Sequence, residues 1–306
     1  MERLGRRARR LGAAAVAIGV VTATLACAAP PPPPPQSTAN WRIQANTLTV
    51  VDDNNDCFGL CAADEPYLVN LGFRVKFNSP NSASTFVVDD VSNELLCQGG
   101  PDNNGILPGG TESCNTGETV SVPTAMGRLS FPNLKLVDVA DLAYGYTPEV
   151  AGAFTLAYEE DQVFGSGNVA DTVASFAGAL RSALNSTIAA GTLPADGNAA
   201  AQLIVDVIGQ VAARFVGNTL LGLLSGLGNA DDLIGVAPLV VIGVTGTLAS
   251  LVNSAGLSST AVLRGRVVTA GGATTTNVTY TRQTIAGIGL GEADTNYRVS
   301  WTLGPA

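Results

Sequence analysis

Histidine is absent from this chain of 306 residues. That absence removes Ser-His-Asp and Cys-His catalysis, histidine zinc sites and imidazole pH switching together. Charge is also scarce. Asp, Glu, Lys and Arg make up 13% of the residues, about half the ~25% of an ordinary globular domain. Lysine occurs twice, at Lys76 and Lys135, against 14 arginines, an imbalance that points to a GC-rich bacterial genome. Aromatics are 6% of the chain, and its two tryptophans, Trp41 and Trp301, stand at opposite ends of the sequence. That leaves little material for the aromatic platforms of a sugar-cleaving cleft. A carboxylate pair can hydrolyse glycosidic bonds without histidine, so a hydrolase stays as the least favoured alternative. The chain carries no Gly-x-Ser-x-Gly elbow, phosphate loop or Ser-x-x-Lys motif, and no residue is assigned a catalytic role.

The apolar fraction, 46%, is ordinary, which argues against disorder. The isoelectric point of about 4.5 argues against a nucleic-acid partner. Glu2 and five arginines (Arg3, Arg6, Arg7, Arg9, Arg10) precede an uncharged run from Leu11 to Ala26. A basic segment followed by an apolar one of this length reads as a secretory leader over residues 1–28. Two processing routes stay open. Ala26-Cys27-Ala28 is a small-x-small cleavage site that would release a soluble protein. Thr24-Leu25-Ala26-Cys27 resembles a bacterial lipobox, in which Cys27 would be lipidated and become the new N-terminus. Five cysteines are an odd number; without Cys27 the remaining Cys57, Cys61, Cys97 and Cys114 form an even set for two disulfides in an oxidising compartment. Cys57–Cys61 with Cys97–Cys114 is the preferred of three connectivities. Pro30 to Pro35 form a stiff polyproline tether within residues 29–39, fit to hold a domain away from a membrane or wall. Without the leader, 24 acids face 11 bases, a net charge of −13.

From Asn40 to Asp161 the pattern is strand-like. Tyr67 to Phe77 alternates, with Leu71, Phe73, Val75 and Phe77 on one face and Arg74 and Lys76 on the other. At Asn168 the period changes: Val169, Val173, Phe176, Leu180, Leu184 and Ile188 recur at helical steps. Gln202, Asp206, Gln210, Arg214 and Asn218 then form a polar stripe on a second, otherwise apolar helix expected to run through Leu227. Leu233 to Val252 is uncharged and long enough to span a bilayer, but its Gly, Pro and β-branched residues suit a buried strand and a short helix better. Strands return after Ala261. The expected fold is mainly β: an antiparallel β-sandwich over 40–306, interrupted by an α-helical hairpin insertion at about 168–228. An apolar hairpin of this kind would cover a sheet face, insert into a membrane or carry an apolar ligand.

Carboxylates concentrate in three places: Asp52-Asp53-Asn54-Asn55-Asp56 with Asp64-Glu65-Pro66-Tyr67; Glu159-Glu160-Asp161; and Asp231-Asp232-Leu233-Ile234-Gly235. Oxygen ligands without nitrogen or thiolate favour a hard cation, and calcium takes six to eight of them. The order of these segments resembles the synaptotagmin-type calcium- and phospholipid-binding (C-two) domain. There an Asp-Pro-Tyr-Val step is followed by an Asp-x-Asp pair and an Asn-Asp-Phe-Ile-Gly motif. The resemblance implies Asp56 and Asp64 as ligands from a first loop, and Glu159, Asp161 and Asp232 from a later one. It also implies calcium as the bound ion, and a bound calcium could bridge to an anionic lipid membrane or a surface polymer. This chain departs from that pattern in placing 69 residues between Asp161 and Asp231. The function these readings converge on is an exported, non-enzymatic cell-envelope or secreted binding protein of undefined oligomeric state.

Overall fold

The computed structural model describes residues 32–52, 66–88, 114, 116–160, 169–214, 231–256, 265–281, 283–285, 288–290 and 295–306. The compact unit Pro35–Ala306 holds every element below. Its first half contains β1 (Thr38–Asp52), β2 (Pro66–Lys76), β3 (Ser84–Val88), β4 (Thr119–Ser121), β5 (Arg128–Lys135) and β6 (Glu149–Glu160), with the single-turn helices α1 (Thr124–Gly127) and α2 (Val139–Leu142) on either side of β5. Two longer helices follow, α3 (Val169–Leu184) and α4 (Gly197–Arg214), with a π turn over Asn185–Ala189 after α3. Then come β7 (Asp231–Ile242), α5 (Gly246–Ser254), β8 (Arg266–Thr269), β9 (Thr274–Tyr280), the β10–β11 pair (Gln283–Ile285 and Ile288–Leu290) and β12 (Asn296–Pro305). The stretch expected to continue the second helix to Leu227 lies outside the described residues.

The protein is mainly β. One sheet runs β4-β1-β12-β9, with β5 also paired to β1; the other runs β3-β2-β6-β7-β8. The two sheets face each other across a shared core, and their inner surfaces are complementary in size. The first contributes Trp41, Phe131, Tyr280, Tyr297 and Trp301. Against these the second offers Ala151, Ala153, Ala157 and Ala237. Large rings over small side chains fill the gap, as close packing of an interior requires. A break in phase on β1 serves the same end. Trp41, Ile43 and Ala45 are buried, then Leu48 and Val50, because a bulge at Asn46 inserts one residue and resets the alternation.

The second sheet is buried on both faces. Its other side carries Val69, Leu71, Phe73, Val75, Phe154, Leu156 and Val240, which form a separate core with Phe176, Leu180 and Leu184 of α3, Ile204, Ile208 and Val211 of α4, and Leu248 and Val252 of α5. The chain therefore stacks sheet, sheet and helices in three layers. β7 reads as an unbroken apolar run because both its sides are covered. The anticipated strand and short helix in 233–252 are present as β7 and α5. No helix among the described residues is long and apolar enough to cross a membrane.

The structure corrects the expected sheet in one respect. β7 and β8 pair in parallel, Leu239 opposite Arg266 through Ile242 opposite Thr269, so this sheet is mixed. A parallel neighbour needs a crossover connection, and α5 supplies it. Cys114 is buried in the inter-sheet core and disulfide-bonded. Cys27, Cys57, Cys61 and Cys97 lie outside the described residues.

A polar chain links the two sheets through the core. The Thr155 hydroxyl donates to the Ala237 carbonyl (2.9 Å), which leaves its oxygen to accept from the Tyr280 hydroxyl. Burial pushes the Tyr280 phenol well above its ordinary value near 10, opposed only in part by Thr155 and by the nearby Trp301 indole. The sign follows from linkage: above pH 10 the unfolded chain releases this proton and the folded chain keeps it, so stability falls as pH rises. We expect Tyr280→Phe to be less stable than the parent at pH 7 by about 1 kcal/mol. The variant should lose up to about 1.4 kcal/mol per pH unit of the parent's alkaline slope above pH 10. Denaturant titrations between pH 8 and pH 11 read both; parallel curves would show that Tyr280 does not carry the slope.

Candidate functional site

Two of the five expected metal ligands, Glu159 and Asp232, lie at one end of the second sheet. β2 begins at Pro66, directly after Asp64-Glu65; β6 ends at Glu160, directly before Asp161; β7 begins at Asp231-Asp232. These three strands are adjacent and antiparallel, so the start of β2, the end of β6 and the start of β7 share one edge. The register is tighter than loop proximity alone. Pro66 lies opposite Glu159, Glu159 opposite Asp232, and Glu160 opposite Asp231. Two acidic positions thus face two acidic positions in consecutive rungs, with strands about 4.8 Å apart.

Of the five expected ligands, Glu159 and Asp232 are brought into direct cross-strand register. Asp56, Asp64 and Asp161 lie outside the described residues. Glu160 and Asp231, which belong to the acidic segments but not to the expected ligand set, occupy the neighbouring rung. In the sequence both read as loop residues, whereas the structure makes them the last residue of β6 and the first of β7. Strand propensity is weak for Asp and Glu, and nothing in a single sequence shows that the β6–β7 ladder runs on past its apolar stretch. Glu159 is half-buried. Among the described residues no three His, Cys, Asp or Glu side chains come together as a metal-binding group.

Like charges directly opposite each other destabilise a ladder. Carboxylate oxygens are the hard ligands that calcium takes. Another concave feature differs in kind. Beneath α4, a cavity of about 30 Å³ is lined by Phe73, Val150, Phe154, Ile188, Ile208, Val211, Pro238, Val240 and Val267. Its described lining holds no titratable side chain, and about 30 Å³ is room for a water or two.

No protein-family model, curated protein or solved structure matches this chain. The functional reading therefore rests on its own residues and geometry.

Proposed function

We propose that this protein is an exported, non-enzymatic binding protein of the bacterial cell envelope that holds calcium at the acidic edge of its second sheet. The observation that carries the reading is the register Glu159–Asp232 beside Glu160–Asp231, with Pro66 of the next strand opposite Glu159. Asp56, Asp64, Glu159, Asp161 and Asp232 are the proposed ligands. The leader, the polyproline tether and a disulfide at Cys114 support an extracytoplasmic setting, in which Cys27 is either lipidated or removed. Cys57–Cys61 and Cys97–Cys114 are the proposed bridges. Residues 168–228 are read as a helical insertion into a sandwich. The described apolar faces of α3 and α4 are spent on the second sheet, which favours a covering role over membrane insertion or ligand carriage.

Calcium that binds only the folded state stabilises it, by about 2.7 kcal/mol at a hundredfold excess over its dissociation constant. We expect the oxidised unit 36–306 to melt roughly 5 °C higher in calcium than in chelator. Magnesium should have little effect, because it demands near-octahedral geometry and dehydrates reluctantly. Asp64→Asn and Asp232→Asn should each abolish the rise. An unchanged melt in millimolar calcium would make the acids a solvated surface, and a full rise in both variants would remove these two residues from the site.

A further inference from the structure

The first sheet turns its aromatic side inward, so alternate residues of β1, β5, β12 and β9 face away from the core. Three of these outward residues are arginines: Arg42 on β1, Arg128 on β5 and Arg298 on β12. None of the three forms an ion pair with a described residue; the ion pair among the described residues is Arg74–Glu149, elsewhere. Their placement is not scattered. Arg128 lies opposite Gln44, and Arg42 lies opposite Ser130, so Arg42 and Arg128 are diagonal neighbours on adjacent strands, about 7–8 Å apart. The Nε atoms of both are sheltered from solvent and have no hydrogen-bond partner among the described residues. Arg298 lies opposite Thr49, further along the same face, roughly 17–20 Å away at strand spacing.

Two adjacent guanidinium groups repel each other, and an anion lying over their outer ends offsets that repulsion. The guanidinium fork matches a carboxylate bidentately. Around the arginines the outward positions are hydroxyl and amide side chains, such as Gln44, Thr302 and Asn277, and between Arg42 and Arg298 no carboxylate occupies an outward position of these strands. The acids on these strands are Asp52, opposite Asn296 and therefore diagonal to Arg298, and Glu118, just before β4; neither neighbours Arg42 or Arg128. Protein partners concentrate binding energy on apolar anchors, and the described outward residues around the arginines are polar. Nucleic acid, with a charge every ~1.7 Å, meets the full repulsion of a chain whose net charge is −9. A sugar polymer with sparser charge and many hydroxyls fits the spread arginines and the hydroxyl-amide ground between them.

We propose that this outward face, organised by Arg42, Arg128 and Arg298, binds a carboxylate-bearing polysaccharide. It is a different surface from the acidic edge and needs no calcium, so its test runs in chelator. In affinity electrophoresis the full-length chain should be retarded by polygalacturonate and not by neutral dextran. The double variant R42Q/R128Q should weaken binding at least tenfold and lower the salt slope by about two, roughly one for each guanidinium charge removed. R298Q should weaken binding several-fold. These exposed or half-exposed positions tolerate glutamine, and unchanged melting curves confirm the fold. No retardation of the parent, or equal retardation of parent and double variant, would overturn the proposal. Binding that disappears in chelator would assign the polymer to the acidic edge instead, and equal retention by phosphatidylglycerol vesicles would assign the face to a lipid surface; both outcomes also overturn it.

Discussion

Gly243→Ala should destabilise the protein by about 3 kcal/mol, at the upper end for overpacking, and lower its melting midpoint by roughly 6–10 °C. Gly243 stands just after β7, where the two sheets come together. Its N–H donates to the Glu149 carbonyl (2.7 Å) and its own carbonyl accepts from Val137 N–H (2.9 Å). Val137, just beyond β5, thereby joins the end of β7, and Val137 and Val244 form a parallel bridge. A Cβ at Gly243 would overlap the Lys135 carbonyl oxygen and lie 2.9 Å from that of Glu149. Both obstacles are backbone, so no side chain can swing aside. Thermal and denaturant unfolding measure the loss; a midpoint within about 1 °C of the parent would mean that the corner yields at little cost.

Glu149→Ala should cost about 2–3 kcal/mol, because it strands several donors at the same corner. The Glu149 side chain is 13% exposed and that of Arg74 25%. One carboxylate oxygen, Oε2, accepts from Arg74 Nε (3.0 Å), from Arg74 Nη2 and from the Lys135 backbone N–H (2.8 Å). Arg74 also donates to the carbonyls of Pro132 (2.7 Å) and Asn133 (2.8 Å). Arg74 and Glu149 belong to the second sheet and the β5 groups to the first, so this pair clasps one sheet to the other. Glu149→Gln keeps an acceptor and should cost less, about 1–2 kcal/mol. Combining Arg74→Met with Glu149→Leu should cost less than the sum of the single changes, since removing both charges leaves neither stranded. Strict additivity in denaturant titrations would mean that the two side chains act independently.

A few residues beyond the clasp, Asp138 ties the helices to this corner. Its Oδ1 accepts from Val139 N–H (2.7 Å) at the start of α2 and from Leu248 N–H (3.0 Å) in the first turn of α5. Gly246 enters α5 at φ +52, and a Cβ there would run into the Asp138 carboxylate. One carboxylate thus serves two helix N-termini, each of which leaves orphan donors.

The alternation of Tyr67 to Phe77 is enough to predict β2 and to group Leu71, Phe73, Val75 and Phe77 on one buried face, because a period of two is local. The steps from Phe176 to Ile188 predict α3 and its buried side for the same reason. At Arg74, on the other face of β2, local reading stops: it looks like a solvated residue and is instead held between the sheets. Nothing local encodes Glu149 as its partner, 75 residues away. The acidic segments are legible as three clusters, and their order along the chain suggests a common edge. The pairing of Glu159 with Asp232, and the extension of β6 and β7 through Glu160 and Asp231, follow from long-range register alone.

The sequence by itself determined the strand and helix periods, the acidic balance and the absence of histidine chemistry, since each depends only on residue type and spacing. Tertiary structure decided the rest. Burial on both faces of the second sheet, the parallel β7–β8 pair and the outward grouping of Arg42, Arg128 and Arg298 all depend on which strands become neighbours. That choice is made by packing summed over the whole chain, so no single segment contains it.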